Sequence, residues 1–171
     1  MNLETERLYI RKFKSTDWEE VYEYTSNPDV MYYLPEKPFT QEDAKKFMQD
    51  NEDKKAEKLA ILLKNSNKLI GHIVFFPYFG DHTYEIGWVF NPKYYNQGYA
   101  TEAAKAILDY GFKIYKLHRI IATCQPENKA SWHIMEKLNM RREGFFKKCI
   151  PTKFGWWDEY YYSILAEEYI Y

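Results

Sequence analysis

The chain has 171 residues, of which 46% are hydrophobic and 19% aromatic, so it can bury a substantial core and does not have the composition of a disordered polymer. Its 24 basic and 25 acidic residues leave a net charge of −1, which lacks the electrostatic footprint of a nucleic-acid binder. Cys124 and Cys149 are too few and too far apart for a disulfide framework or zinc site, and His72, His82, His118 and His133 have no metal-ligand spacing. No apolar run reaches the length of a membrane span and no signal peptide precedes Leu3, so a cytoplasmic chain without metal, nucleic-acid or membrane partner is expected.

Leu3 to Phe13 reads as a first strand, with Leu8 and Ile10 on one side. Ser15 or Thr16 can cap a short helix through Trp18, Val21, Tyr22 and Tyr24, which Ser26-Asn27-Pro28 would end. Thr40 with Asp43 three residues on forms a capping pair before a second helix, to about Lys55, with Ala44, Phe47 and Met48 as its apolar stripe. Leu59 to Leu63, Leu69 to Phe76 and Tyr84 to Phe90 form a strand meander, separated by turns at Asn65 to Lys68 and near Pro77 to Asp81.

A helix then runs from Gly98 to about Ile114, followed by a short buried-type strand, His118 to Cys124. Pro126-Glu127-Asn128 opens a further helix through Leu138. Two closing strands, Met140 to about Cys149 and Trp157 to Leu165, are joined across Pro151 and Gly155. The order β-α-α-β-β-β-α-β-α-β-β predicts an α+β fold with a single mixed, mostly antiparallel sheet of about seven strands and about four helices, in one domain over 1–171.

The stretch Tyr95-Asn96-Gln97-Gly98-Tyr99-Ala100-Thr101-Glu102-Ala103 lies between the strand that Asn91-Pro92 ends and the helix that follows. A small-residue turn at a helix mouth presents backbone N–H groups without partners inside the helix, and the helix dipole adds positive potential. Bulk at Gly98 or Ala100 would hold an anion off the backbone, and Thr101 adds a hydroxyl. This pattern points to a phosphate or pyrophosphate. The 17 Tyr, 11 Phe and 5 Trp suit a cleft for an organic ligand, or simply fill the core.

Five segments in order resemble the GCN5-related N-acetyltransferase superfamily, in its ribosomal-protein-alanine N-acetyltransferase-like branch. They are Thr5-Glu6-Arg7-Leu8-Tyr9-Ile10-Arg11; Glu85-Ile86-Gly87-Trp88; Gln97 to Ala103; Pro126 to Ser131 with Glu136-Lys137-Leu138; and Trp157 to Leu165. The resemblance spans nearly the whole chain. It departs at Tyr95, where the loop usually has a polar or cationic residue, at Asn96, where the branch often has Gly, and at Asn139, where Gly often follows Glu-Lys-Leu. Asn tolerates the left-handed conformation needed there.

The resemblance implies an acyl-CoA N-acyltransferase fold whose fourth and fifth strands splay apart, with acetyl-CoA as co-substrate. Its pyrophosphate would lie on Asn96, Gln97, Gly98, Tyr99, Ala100 and Thr101. Its pantetheine amides would pair with backbone at Trp88, Val89 and Phe90, although Trp88 and Phe90 serve equally as packing. Gly87 there permits a close backbone approach or marks a bulge. Asn128 would bond the arm or merely cap its helix. Ser131 would protonate the departing thiolate or stand as an ordinary helix serine. Glu85 would be the base, directly or through a water; a surface glutamate or an ammonium contact are its other readings. The Val89 N–H would meet the oxyanion.

The implied function is direct acetyl transfer to a primary amine, on a protein N-terminus or a small molecule, by a monomer or homodimer. The alternative is a non-catalytic acyl-CoA-binding or sensing module of the same fold. The first 55 residues, with Tyr32-Tyr33-Leu34-Pro35, should shape the acceptor pocket, and strand alternation sets Trp157, Glu159 and Tyr161 on one face.

Overall fold

In the computed structural model, residues 1–51, 57–153 and 155–170 are described. Among these described residues eight strands form one mixed sheet in the order β1-β2-β3-β4-β5-β6-β8-β7, and five helices accompany them. The α+β class is as expected, with one more strand and one more helix than the sequence suggested. The chain divides into two compact units, Met1–Phe75 with Trp88–Ala106, and Phe76–Gly87 with Ile107–Tyr171.

In the first unit the expected opening strand is two strands, β1 (Leu3–Glu4) and β2 (Leu8–Arg11), paired antiparallel with Leu3 opposite Ile10. Thr5 makes the turn between them: its N–H donates to the Leu8 carbonyl at 3.0 Å, and its hydroxyl accepts the Leu8 N–H at 3.0 Å. The first long helix, α1 (Trp18–Thr25), is not capped by Ser15 or Thr16, which lie in a 3₁₀ turn (Ser15–Asp17). Asp17 organises this entry instead. Its buried carboxylate takes the Lys14 N–H at 2.8 Å and the Arg11 guanidinium at 2.7 and 2.9 Å, a two-pronged charge-assisted contact.

The extra helix is α2 (Pro28–Met31). Pro28 stops α1 as expected but also starts a new helix, because proline lacks only an N–H that the first helical residue leaves unpaired anyway. Asn27 caps it, accepting the Asp29 N–H at 2.9 Å. The Thr40–Asp43 capping box opens α3 (Gln41–Asp50) as the sequence indicated, with reciprocal bonds of 3.2 and 2.8 Å. The expected end near Lys55 lies outside the described residues.

Strands β3 (Lys58–Leu63) and β4 (Leu69–Pro77) pair antiparallel. Phe13, Val21, Tyr24, Phe47, Met48, Ala60, Leu62, Leu69 and Val89 form a common core cluster. His72 belongs to this interior, with Nδ1 2.7 Å from the Tyr24 hydroxyl. Burial, aided by the Lys58 charge, holds its pKa down at about 3, so it stays neutral and structural.

Strand β5 (Thr83–Phe90) carries Trp88, Val89 and Phe90 at its end. Gly71 of β4 makes this arrangement possible: a side-chain carbon added there would lie 2.5 Å from the Val89 carbonyl oxygen and 2.8 Å from the Phe90 ring. Because the obstacle is backbone, Gly71→Ala is expected to destabilise the protein by about 1–3 kcal/mol through overpacking. Urea unfolding checks this, with an unchanged midpoint as the contrary result.

In the second unit, β5 pairs in parallel with β6 (Arg119–Cys124) over Thr83–Glu85 against Arg119–Ile121. Beyond Glu85 and Ile121, β5 runs on to Phe90 and β6 to Cys124. Helix α5 (Lys129–Lys137) ends at Leu138 and the chain turns at Asn139 with φ +59°, the left-handed conformation expected there. β7 (Arg141–Thr152) and β8 (Gly155–Leu165) form a long hairpin, with β8 antiparallel to β6. Pro151, expected in the turn, is instead paired with Trp156 inside β7, the edge strand, where a missing N–H is tolerated. Among the described residues no helix is long and apolar enough to cross a membrane.

Candidate active site

The predicted anion loop lies in the first unit. Asn91 ends β5 and caps a 3₁₀ turn by accepting the Lys93 N–H at 3.1 Å. Asn96 and Gly98 then take positive φ, +59° and +82°. Helix α4 (Tyr99–Lys113) follows, its first closing bond running from the Glu102 N–H to the Gly98 carbonyl at 3.0 Å. First-turn N–H groups at Tyr99, Ala100 and Thr101 therefore crown the helix without intrahelical partners. Gln97 reaches back through its side-chain amide to the Lys93 carbonyl at 3.2 Å. Asn96, Gln97 and Gly98 are exposed, and Tyr99, Ala100 and Thr101 are half-buried, so the loop offers backbone to solvent on a rigid base.

Two residues here were not singled out from sequence. Glu102 gathers three donors: the Thr5 hydroxyl at 2.5 Å, the Arg7 N–H at 2.9 Å and Arg7 Nε at 2.6 Å. Arg7 Nη1 donates to the Gln97 carbonyl at 2.9 Å, and the guanidinium lies 4.5 Å above the Tyr99 ring. Both residues sat inside quoted motifs, Thr5-Glu6-Arg7-Leu8 and Ala100-Thr101-Glu102-Ala103. Their pairing across 95 positions had no local signal. Val89 and Phe90 are buried and Trp88 half-buried, so the first two side chains serve the core.

The second unit holds the predicted acid–base residues. Half-buried Glu85 accepts a hydrogen bond from the Thr123 hydroxyl at 3.1 Å. Burial raises its pKa, the Thr123 bond opposes that rise, and the Glu159 charge adds to it. Glu159 of β8 is likewise raised by burial, with the nearby Thr123 hydroxyl opposing the rise. Thr123 stands opposite Tyr161 in the β6–β8 register, and Tyr161 lies 6.3 Å from the Tyr78 ring and 6.1 Å from Phe146. Two carboxylates thus lie close to one hydroxyl, which donates to Glu85, beside an aromatic wall. Glu159 was seen on this face from strand alternation but was not assigned to the site.

Ser131 and Asn128 stand apart from Glu85 in their contacts. Asn128 caps α5, accepting the Ser131 N–H at 3.3 Å, which is the capping role the sequence allowed. Ser131 lies near Cys124, whose thiol is pushed up to about 12 by burial, with the Ser131 hydroxyl opposing the rise. Cys124 and Thr123 are neighbours on β6, and neighbours on a strand face opposite sides. Glu85 is thus tied to Thr123 and Ser131 lies beside Cys124, adjacent residues at the end of β6. Among the described residues, no three His, Cys, Asp or Glu side chains gather as metal ligands.

A family model described as acetyltransferase (GNAT) domain matches residues 7–141. The uncharacterized N-acetyltransferase YnaD of Bacillus subtilis (strain 168) is 63% identical over 169 residues, 99% of each chain. The crystal structure of a GNAT-family acetyltransferase from Bacillus anthracis matches with a TM-score of 0.95 at 62% identity, over 98% of this chain and 100% of that one. Spermidine N-acetyltransferase from Vibrio cholerae, solved in complex with CoA and spermine, shares the fold with a TM-score of 0.81 at 19% identity, over 96% of this chain and 99% of that one. Ribosomal-protein-alanine N-acetyltransferases are also among the similar proteins.

Proposed function

We propose that this chain, which belongs to the GNAT acetyltransferase family and is an N-acetyltransferase, carries the acetyl group of acetyl-CoA directly to a primary amine within a ternary complex. The observation that supports this most is the position of Glu85, a carboxylate with raised proton affinity at the last paired residue of the β5–β6 ladder. A general base needs that combination: a tuned pKa at a place where substrate can reach it.

In this reading the loop Asn96 to Thr101 receives the pyrophosphate, and the backbone of Trp88, Val89 and Phe90 with Asn128 receives the pantetheine arm. Glu85 takes a proton from the amine as its lone pair forms the new N–C bond. The carbonyl electrons move to oxygen, where the Val89 N–H meets the charge. Collapse breaks the C–S bond, and Ser131 donates a proton to the thiolate. Cys124 is held protonated at neutral pH by its raised pKa, which leaves no thiolate for an acetyl-enzyme.

Acceptors named for similar proteins are spermidine and the alanine of a ribosomal protein, and the chemistry they share is a primary amine. We infer a cytoplasmic enzyme, one domain over 1–171, acting as a monomer or homodimer. The test is initial-rate kinetics with acetyl-CoA and amine both varied. Direct transfer gives intersecting double-reciprocal lines and no mass added to the enzyme. Parallel lines with a +acetyl adduct on Cys124 or Cys149 would overturn it.

A further inference from the structure

Arg7 lies on the turn between β1 and β2, far along the chain from the loop it touches. Its main-chain N–H and Nε both go to Glu102, its Nη1 to the Gln97 carbonyl, and its guanidinium plane to Tyr99. Its Nη2 lies 3.3 Å from where a side chain on Gly98 would begin. Four contacts from one residue thus reach Gln97, Tyr99 and Glu102, with Gly98 between them, in the loop and first turn of α4. A guanidinium suits this task because its donors point in fixed directions from one plane, whereas an ammonium is a point charge on a flexible stem.

We propose that Arg7, paired with Glu102, is a positioning residue for acetyl-CoA, holding the loop in its anion-binding shape before the cofactor arrives. The inference rests on the reading of the loop as the pyrophosphate site. Asn96 stands in the left-handed region, which non-glycine residues populate sparsely, and Gly98 is free to take either sign of φ, so the chain alone does not fix the loop and contacts must select its shape. Gln97, between the two, is fixed through its carbonyl by Arg7 and through its amide by the Lys93 carbonyl. A preset loop spares the cofactor the entropy of ordering it, and that gain appears as affinity. The Arg7 side chain is 42% exposed and that of Glu102 17%, but Glu102 keeps the Thr5 hydroxyl and the main-chain N–H of position 7 when the guanidinium is removed, so variants at this position are expected to stay folded.

The experiment compares the dissociation constants of CoA and of pantetheine, which lacks the pyrophosphate and nucleotide, by titration calorimetry. Arg7→Ala is expected to weaken CoA about ten-fold and pantetheine by less than about two-fold, since only the former uses the loop. Arg7→Lys is expected to restore only a minor part of that loss. Equal weakening of both ligands, unchanged CoA affinity, or full recovery by lysine would each overturn the positioning role. Gly98→Val reads the loop itself. If it abolishes CoA binding while Arg7→Ala leaves CoA affinity unchanged, this inference alone falls; if both variants bind CoA normally, the pyrophosphate assignment falls with it.

Discussion

Glu85→Gln is expected to lower kcat/KM by about a hundred-fold or more, the range over which a positioned general base contributes, while leaving the acetyl-CoA dissociation constant unchanged. Burial is the main reason that Glu85 holds its proton above the usual carboxylate range. The base works only when deprotonated, so wild-type activity falls as pH drops through that raised pKa, and the glutamine variant loses this acid limb. The neighbours move it in opposite directions. Glu159→Gln removes a like charge and shifts the limb to lower pH; Thr123→Val removes a hydrogen bond to the carboxylate and shifts it to higher pH. Tyr161, itself raised by burial, faces Tyr78, Arg119 and Glu85 and completes the titratable surroundings.

The same shift has a stability sign. An acid with a raised folded pKa binds its proton more tightly in the native state, so its contribution is full at low pH and is lost as pH rises through the folded value. Glu85→Gln is therefore expected to match or exceed wild type in melting temperature at neutral pH. A variant that is slow yet at least as stable separates catalysis from folding. A slow, unstable variant, or one active across pH 6–9 like wild type, would remove Glu85 from the mechanism.

Gly98→Val carries the second large effect. Gly98 sits at φ +82°, where an L-residue costs roughly 1–2 kcal/mol, and its first side-chain carbon would already lie 3.3 Å from Arg7 Nη2. On the proposed reading of the loop, the branched side chain adds bulk beside the first-turn N–H groups of α4 that would take the anion. Losing two or more charge-assisted hydrogen bonds predicts a CoA affinity weaker by at least about a hundred-fold. Because the loop is exposed, the melting temperature should fall only slightly. Gly98→Ala, with the same backbone strain and less bulk, should lie between. Calorimetric titration with CoA reads all three proteins, and a wild-type constant in the valine variant contradicts the loop assignment.

Features fixed by residues close in sequence were legible in advance. The Thr40–Asp43 box, the glycine at the mouth of α4, the left-handed Asn139 and the Asn128 cap each depend on a few neighbouring residues. Where two local readings competed, the structure sometimes favoured the other. Pro28 begins a helix as well as ending one, and Asp17 displaces Ser15 and Thr16 because Arg11 reaches it from β2. The misses were contacts between distant positions. Glu102 with Arg7, Thr123 with Glu85 and Glu159, and Gly71 under Val89 and Phe90 depend on strand register and on where α4 begins, which hydrophobic periodicity does not encode. The base was proposed from one strand, and the residues that tune it came from two others.

The central claim is met most directly by following free thiol release from acetyl-CoA against a panel of primary amines, with the mass of each product recorded. Ala- and Ser-starting peptides, spermidine, an aminoglycoside and free amino acids make up the panel. Turnover on at least one class, with the acetyl group found on its amine and the rate lost in Glu85→Gln, is the expected result. Tight CoA binding with no acetylated amine from any class would contradict direct acetyl transfer as the work of this site.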